Sequence, residues 1–337
     1  MEHKELLERT TKHLLQQGKG ILAADESSGT ADKRFAAVGV EQTEENRRRY
    51  RELLFTAFGV EQYLSGVILF DETIRQKTSD GKLFRDYLTQ KEILVGIKVD
   101  EGLEKVDGGE VTKGLEGLEN RLKEYVDMGA RFAKWRAVAR VGDGYGDPVI
   151  KENAKRLAQY AVMCQNVGLV PMVEPEVLID GAHSAEETEG ALIETIAIVF
   201  DELKAHNVHL PGVILKTSMS VSGKSAEHRA EPTEVAERTV RALKTSTPEN
   251  VGGVVFLSGG QGPEEATANL NAIARLEPHP WPITFSFSRA LQEPVLETWK
   301  GDDEMKDEAQ AEFLNRLSLN IAADAGGYNP GMENTAL

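Results

Sequence analysis

Lys216 is the residue of this sequence best suited to covalent chemistry. It closes the run Gly-Val-Ile-Leu-Lys at 212–216, which is typical of a buried β-strand that ends in an ammonium group. A lysine attacks a carbonyl only as the neutral amine, a form that a dry site and a neighbouring cation favour. Two more strand-like runs carry Lys98 and Lys134, and three such strands favour a nucleophile over a lysine that merely reaches solvent.

Charged residues on the predicted strands could supply proton transfer. The period-two alternation of a strand puts Lys134 and Arg136 on one face, and it puts Glu174 and Glu176 on one face of the next predicted strand. A Lys134 ammonium beside Lys216 would favour the neutral amine through repulsion, and Glu174 could carry protons to and from a carbinolamine. The pattern therefore predicts Schiff-base chemistry.

Two further segments could bind anionic groups. Ser258-Gly259-Gly260 follows an apolar strand and precedes a predicted helix, where bare amides attract phosphate, and Arg289 could add a bidentate contact. A tight strand-to-helix turn is the alternative explanation of the two glycines. The segment 25–30 (Asp-Glu-Ser-Ser-Gly-Thr), with an arginine four residues further on, could hold a second anion, although ordinary N-capping also explains its serines.

Short apolar segments alternate with longer amphipathic ones along the chain, as in repeated strand–helix units. Eight strands are predicted, at 20–24, 66–70, 93–99, 132–138, 170–177, 213–217, 253–257 and 284–287. Between them, Thr43 and Ser184 are expected N-caps and Pro232 a helix start. The pattern predicts an α/β fold, a single (β/α)8 TIM barrel whose working residues lie at the C-terminal ends of the strands.

The two ends of the chain complete this architecture. A helix through about Gln17 is expected before the first strand, and a helix at about 303–325 after the eighth unit. We expect a catalytic barrel domain at 1–325 and a short flexible C-terminal tail at 326–337, because glycine, asparagine and proline follow the last helix.

The composition limits the classes of function. A formal charge of −16 argues against a nucleic-acid surface, and no apolar stretch approaches the length of a membrane span. Cys164 is the only cysteine, so no internal disulfide can form and a cytoplasmic location is expected. The histidines are scattered, with His206 and His209 the one close pair, and we expect neither a metal site nor a cofactor.

Seven segments carry these residues in a fixed order: 20–27 (GILAADES), 96–100 (GIKVD), 132–136 (FAKWR), 173–176 (VEPE), 215–216 (LK), 256–261 (FLSGGQ) and 288–292 (SRALQ). Together they resemble the class I fructose-1,6-bisphosphate aldolase family, over about residues 1–328. The resemblance implies metal-independent, reversible cleavage of fructose 1,6-bisphosphate to dihydroxyacetone phosphate and glyceraldehyde 3-phosphate, in glycolysis or gluconeogenesis. It also implies a homo-oligomer, a tetramer by family analogy.

The resemblance implies a role for each residue at the predicted strand ends. Lys216 would form an imine with the ketone carbon of the substrate, and Glu174 would act as acid and base in imine formation and hydrolysis. Asp25 would orient or deprotonate the C4 hydroxyl, and Lys134 would position substrate and stabilise charge. The C1 phosphate would be bound by Ser258, Gly259, Gly260 and Arg289. Residues expected toward the C6 phosphate are Ser27, Thr30, Arg34, Lys98 and Arg136, and Glu176 is expected among the substrate-binding residues.

The sequence departs from animal members of that family in three places. Thr217 and Ser218 replace a proline and an asparagine, and Ser288 replaces a glycine before the phosphate-binding arginine. The chain ends in Asn-Thr-Ala-Leu, without the terminal tyrosine that assists proton exchange in those members. Tyr328 matches an internal tyrosine of the family, so it does not take that role.

Three other functions are alternatives. Gly223-Lys224-Ser225 resembles the end of a P-loop, and 257–261 (LSGGQ) spells the signature of transporter ATPases, but a P-loop needs glycine where Ser218 stands. A sugar-phosphate sensor would keep the cationic residues without needing an imine lysine. A different Schiff-base barrel, such as transaldolase, would not need phosphate sites at both ends of its substrate.

Overall fold

The computed structural model describes residues 3–142 and 147–334. Its strands in chain order are β1 (Gly20–Ala24), β2 (Leu64–Leu69), β3 (Leu94–Lys98), β4 (Leu103–Val106), β5 (Gly109–Thr112), β6 (Phe132–Ala139), β7 (Val170–Val177), β8 (Ile214–Thr217), β9 (Gly253–Phe256) and β10 (Ile283–Phe287). Its α-helices are α1 (Lys4–Leu14), α2 (Ser28–Ala37), α3 (Glu44–Phe55), α4 (Asp71–Arg75), α5 (Phe84–Gln90), α6 (Leu118–Asp127), α7 (Asp147–Asn166), α8 (Ala185–Ala205), α9 (Pro232–Ser246), α10 (Pro263–Ala274), α11 (Arg289–Trp299) and α12 (Lys306–Asp324).

Eight of the strands close a parallel barrel, in the order β1-β10-β9-β8-β7-β6-β3-β2. Helices lie between the barrel strands in the chain, so the predicted (β/α)8 TIM barrel with its N-terminal and C-terminal helices is confirmed. β1 and β7 have their predicted bounds, and the largest difference is in β2, which starts at Leu64 instead of Gly66. Closure brings the C-terminal ends of all eight strands to one rim.

Phe132 fills the barrel interior where glycines of two neighbouring strands leave room for its ring. A Cβ added to Gly96 would lie 2.3 Å from that ring, and one added to Gly66 would lie 2.7 Å from Leu14. Only glycine permits so close an approach. Leu7 and Leu14 of α1 belong to the same buried cluster as Phe132, so the N-terminal helix packs against the filled interior of the barrel.

The predicted helix starts follow from local capping. Thr43 Oγ1 accepts a 3.1 Å hydrogen bond from the Asn46 N–H, and Ser184 forms a capping box with Glu187 at the start of α8. Helix α9 begins at Pro232, as predicted. The apolar faces of the helices pack on the outside of the barrel in one large buried cluster. Among the described residues, no helix is both long enough and apolar enough to cross a lipid bilayer.

The antiparallel hairpin of β4 and β5 is not among the predicted strands. Its four-residue strands are too short for the alternation of a strand to be recognised. Asp107-Gly108 forms its turn, a pair typical of two-residue hairpin loops, and Gly108 has a φ of +85°. The Asn153 side chain of α7 accepts a 3.0 Å hydrogen bond from the Thr112 N–H and so fixes the hairpin to the barrel helices.

The segment after α12 contacts neighbouring helices through Tyr328 and Glu333. Tyr328 is buried, its N–H donates to Asn271 Oδ1 at 3.0 Å, and its hydroxyl donates to Glu333 at 2.8 Å. Glu333 also pairs with the buried guanidinium of Arg316 at 2.5 Å. Residues 335–337 lie outside the described part of the chain. The division into a barrel domain at 1–325 and a flexible tail at 326–337 stays a prediction.

Candidate active site

Three adjacent barrel strands carry the predicted catalytic residues toward their C-terminal ends. Lys134 lies in β6, Glu174 in β7 and Lys216 in β8, one residue before the end of that strand. Asp25 directly follows the last residue of β1. The register pairs the Cα atoms of Arg136 and Glu174, so side chains of β6 and β7 reach similar levels of the barrel. The predicted residues therefore meet at one rim.

The four catalytic candidates form an unbroken line of ion-pair contacts. Lys216 Nζ lies 3.0 Å from Glu174 Oε1, and Lys134 Nζ lies 3.1 Å from Glu174 Oε2. Lys134 Nζ also lies 2.8 Å from Asp25 Oδ2. Lys216 is 3% exposed and Glu174 and Lys134 are 4% exposed, so the line is almost completely shielded from water. The alternation of the strands predicts Lys134 beside Lys216, whereas in the structure the carboxylate of Glu174 lies between the two ammonium groups.

Opposite charges hold the two central groups of this line in their ionised forms. Burial by itself would raise the pKa of Glu174, but Lys134 and Lys216 lower it to about 2. Burial by itself would lower the pKa of Lys134, but the carboxylates of Asp25 and Glu174 raise it well above its usual range. At neutral pH, Glu174 is therefore a carboxylate and Lys134 is a fixed ammonium.

Asp100 belongs to the site but is not among the predicted site residues. Its carboxylate lies 2.7 Å from Lys98 Nζ and 3.9 Å from Lys134 Nζ, and it accepts a 3.3 Å hydrogen bond from the Arg136 N–H. The Arg136 guanidinium pairs with Glu176 of β7. Asp100 stands two residues beyond β3, so the strand-end rule that selects Lys98 could also have selected it.

Glu26 is the second site residue missing from the prediction, although it follows Asp25 in the chain. Its carboxylate pairs with Arg34 and, at 2.5 Å, with Arg51 of α3, and it accepts a 2.6 Å hydrogen bond from the Ser288 hydroxyl. Burial by itself would raise the pKa of Glu26, but the two guanidinium groups hold it well below its usual range. Ser288, one of the three departures noted in the sequence, thus has a charged partner.

The turn after β9 has the geometry expected of an anion site. Gly259 and Gly260 have φ values of +49° and +85°, and a Cβ on Gly260 would lie 2.9 Å from Ile179 Cγ2. The same position lies 3.3 Å from Arg289 Nη2, so the arginine at the start of α11 reaches this turn. A turn with two positive φ values and a guanidinium beside it is compatible with anion binding, and the binding of an anion by this turn stays a prediction.

The five residues predicted toward the C6 phosphate fall into two groups. Ser27 Oγ and Thr30 Oγ1 lie 3.1 Å apart at the start of α2, and Arg34 lies on the same helix. Ser27 makes no side-chain capping bond to any described residue of this helix. Lys98 and Arg136 lie instead on the neighbouring strands β3 and β6. Among the described residues, no hydrogen bond or ion pair joins the two groups directly, and their contact with a phosphate stays a prediction.

A family model for glycolytic class I fructose-bisphosphate aldolase matches residues 5–337, nearly the whole chain. The chain belongs to this family. As a class I fructose-bisphosphate aldolase, it is a carbon–carbon lyase that acts on sugar phosphates. The family predicted from the seven sequence segments is therefore confirmed.

Aldolases of plants, bacteria and a protist are similar to the chain. It is 50% identical over 316 residues to cytosolic fructose-bisphosphate aldolase 4 of Arabidopsis thaliana, and the matched region covers 92% of this chain and 80% of that protein. It is 51% identical over 302 residues to a probable class 1 fructose-bisphosphate aldolase of Xanthomonas campestris, covering 88% of this chain and 90% of that protein. The solved aldolase of Plasmodium falciparum, in complex with TRAP and a small-molecule inhibitor, has a TM-score of 0.96 at 45% identity, over 98% of this chain and 97% of that one.

The nucleotide-hydrolase alternative fails on geometry as well as on family. Gly223-Lys224-Ser225 lies in the loop after β8, and α9 begins only at Pro232, whereas a P-loop leads straight into its helix. The Gly-Lys-Ser triplet of this aldolase therefore has another explanation. Within residues 3–142 and 147–334, no three His, Cys, Asp or Glu side chains are arranged to hold a metal ion.

Proposed function

We propose that this aldolase cleaves fructose 1,6-bisphosphate reversibly to dihydroxyacetone phosphate and glyceraldehyde 3-phosphate through an imine on Lys216, without a metal ion or cofactor. The observation that carries the proposal is the buried line from Lys216 through Glu174 and Lys134 to Asp25. It supplies an amine, a proton carrier, a fixed cation and a carboxylate base, each in contact with the next. Each of the four serves a different step.

Lys216 is the better nucleophile of the two buried lysines. Lys134 contacts the carboxylates of Asp25 and Glu174, a third carboxylate lies 3.9 Å away, and its raised pKa keeps its proton in place. Among the described residues, Lys216 makes an ion pair only with Glu174. Fewer ion pairs are therefore lost when Lys216 becomes the neutral amine than when Lys134 does.

Glu174 can carry the protons of imine formation. Its carboxylate accepts a proton from the Lys216 ammonium, the neutral amine adds to the C2 carbonyl, and Glu174 returns the proton as the carbinolamine hydroxyl leaves as water. Lys134, Lys216 and Arg136 all keep the pKa of Glu174 low, and one of these three cations disappears when Lys216 becomes neutral. The carboxylate is therefore easier to protonate at the step that requires it.

Asp25 supplies the base for carbon–carbon cleavage. When it accepts the C4 hydroxyl proton, the electrons of the C3–C4 bond flow into the protonated imine, which releases glyceraldehyde 3-phosphate and leaves an enamine. Lys134, 2.8 Å from Asp25, fixes that carboxylate and offsets the charge that develops beside it. Protonation of the enamine at C3 and hydrolysis of the imine then free dihydroxyacetone phosphate and Lys216.

The two phosphates would bind to different residues around the same rim. Ser258, Gly259, Gly260 and Arg289 are proposed for the C1 phosphate, because bare amides and a guanidinium converge there. Arg34 and Lys98 belong to the groups proposed for the C6 phosphate, on α2 and β3. Both groups lie on elements that end or begin at the rim where Lys216 is buried.

Borohydride reduction in the presence of dihydroxyacetone phosphate tests the nucleophile. The reduced imine should appear by mass spectrometry on the peptide that contains Lys216, and activity should be lost in step with labelling. Lys216→Met should abolish both, with its fold checked by circular dichroism, whereas Lys98→Met should still be labelled. Labelling of the Lys216→Met variant would overturn the assignment.

Metal independence has its own test. Dialysis against EDTA should leave kcat unchanged if the imine is the electron sink of the reaction. Loss of activity that zinc restores would instead show that a metal ion polarises the substrate carbonyl.

We propose a cytoplasmic location and a role in glycolysis or gluconeogenesis. The relative from Arabidopsis is named cytosolic, and the matching family model is described as glycolytic. A homo-oligomer, a tetramer by family analogy, stays a prediction that the mass of the protein in solution tests.

A further inference from the structure

The Gly-Lys-Ser triplet at 223–225 is held tightly against the loop that follows β7. Gly223 N–H donates to His183 O at 2.8 Å, Lys224 N–H to Ile179 O at 2.9 Å and Ser225 N–H to Gly181 O at 2.9 Å. A Cβ on Gly223 would lie only 2.3 Å from Gly181 O, so glycine is required for this approach. The backbone of Lys224 is thus fixed although its side chain is exposed.

The fixed backbone directs the Lys224 side chain toward the turn after β9. A Cβ atom added to Gly260 would lie 3.3 Å from Lys224 Cε and also 3.3 Å from Arg289 Nη2. The Ile179 carbonyl accepts the hydrogen bond from the Lys224 N–H, and Ile179 Cγ2 would lie 2.9 Å from the same added Cβ atom of Gly260. Three loops therefore converge on Gly260, and two of them bring a cationic side chain.

Neither cation has an ion-pair partner among the described residues. Within residues 3–142 and 147–334, Lys224 and Arg289 make no ion pair, although this chain has 55 acidic residues against 39 Lys and Arg residues. The nearest carboxylate, that of Glu176, would lie 3.9 Å from a Cβ on Gly259 and is paired with Arg136. Two like charges without an ion-pair partner of their own repel each other, and an anion placed between them would remove that repulsion. Gly259 and Gly260, both with positive φ, offer bare amides at the same point.

We infer that Lys224 is a further phosphate-binding residue of this site. Its ammonium group contacts the same phosphate that the Gly259-Gly260 turn and Arg289 bind. The inference rests on the proposed function, in which that phosphate is the one on C1 of the sugar. Lys224 contacts a remote phosphate and takes no part in proton transfer, so it acts on ligand binding and positioning. The triplet that resembles a P-loop in the sequence thus binds phosphate in a different fold and geometry.

Inorganic phosphate is the probe that tests this inference, because its binding does not depend on imine chemistry. Titration calorimetry should give a dissociation constant about 5- to 10-fold higher for Lys224→Met than for the unmodified chain. Lys224→Arg, which keeps the charge, should stay within about twofold. Lys204→Met removes an exposed lysine from the far end of α8 and should leave the constant unchanged, since that ammonium lies away from the turn.

A double-mutant cycle with Arg289 locates the effect. If both cations bind one phosphate, Lys224→Met should change the dissociation constant less than about twofold once Arg289 is alanine. For fructose 1-phosphate as substrate, Lys224→Met should raise KM more than it lowers kcat.

Four results would overturn the inference. The first is equal phosphate affinity of the Lys224→Met and Lys204→Met variants, and the second is that Lys224→Met lowers phosphate affinity as much in the Arg289→Ala background as in the unmodified chain. The third is no phosphate binding by the unmodified chain, and the fourth is a change in kcat alone for Lys224→Met. Failure of the proposed function would give a distinguishable result. Borohydride would then not label Lys216, whereas phosphate binding would still depend on Lys224.

Discussion

Glu174 Oε1 lies 3.0 Å from Lys216 Nζ, and both side chains are buried. This contact joins the proposed nucleophile to a carboxylate whose second oxygen meets Lys134 at 3.1 Å. The same carboxylate thus serves as the proton acceptor of one lysine and the ion-pair partner of the other. Since Lys134 keeps its proton, Glu174 exchanges protons with Lys216 and not with Lys134.

Replacement of Glu174 by glutamine tests this arrangement. The amide keeps the size of the side chain but cannot carry a proton, so kcat should fall about 10²- to 10⁴-fold and the rate of borohydride trapping should fall with it. Glu176→Gln, on the same strand, removes a contact to Arg136 and, among the described residues, no ion pair with a lysine, and it should affect KM more than kcat. A Glu174→Gln variant whose kcat stays within about threefold would exclude proton transfer by this residue.

Arg289→Ala tests the phosphate site at the turn after β9. A hydrogen bond to a charged group contributes about 1.5–3 kcal/mol, so the KM for fructose 1,6-bisphosphate should rise about 10- to 150-fold. Arg9→Ala, at an exposed position of α1, is the matched control and should leave KM unchanged. Equal KM values for the two variants would remove Arg289 from the site.

Glu26→Gln should destabilise the fold because it leaves Arg34 and Arg51 without their charge partner. Breaking a buried pair costs roughly 3–5 kcal/mol of the free energy of unfolding, which urea denaturation at pH 7 would measure. The folded-state pKa of Glu26 lies below the ordinary value of 4.5, so its contribution is complete above pH 4.5 and is lost as pH falls through the folded value. The difference from the unmodified chain should therefore shrink in acid.

The exposed Glu41 supplies the control for that measurement. Glu41→Gln should leave the free energy of unfolding within about 0.5 kcal/mol of the unmodified value at every pH. A Glu26→Gln variant as stable at pH 7 as Glu41→Gln would contradict the importance of the pairing with Arg34 and Arg51.

Asp324 at the end of α12 should make the fold less stable at alkaline pH. Burial, helped to a smaller extent by the Glu277 carboxylate and opposed by the Thr284 hydroxyl, raises the pKa of Asp324 to about 7. The Oδ1 atom of Asp324 has no hydrogen-bond partner among the described residues. The folded state therefore binds an extra proton between pH 3.8 and 7, and stability falls as pH rises through that range.

Replacing Asp324 by asparagine, which stays neutral, should raise the free energy of unfolding by about 1–3 kcal/mol at pH 8 and change it little at pH 4. Thermal or urea unfolding at the two pH values measures the difference. Asp201→Asn, at an exposed position of α8, should show no such dependence on pH. An Asp324→Asn effect of equal size at both pH values would mean that the charge of the carboxylate is not the cause.

The sequence by itself determined the strands and the residues at their ends. All eight barrel strands lie within two residues of their predicted bounds, because buried apolar runs and the turns that bound them are set by neighbours along the chain. The same local information fixed the caps at Thr43 and Ser184. It also put Lys134, Glu174 and Lys216 at one rim, because a closed parallel barrel permits no other arrangement.

Only the tertiary structure decided which of these charges meet. Three contacts depend on distances across the barrel and between loops. Glu174 lies between two lysines, Glu26 pairs with Arg34 and Arg51, and Lys224 reaches Gly260. Those distances follow from strand stagger, barrel closure and glycine contacts between segments far apart in the chain. No periodicity in the sequence encodes them, because a pattern records which face a residue occupies and not which side chain lies opposite.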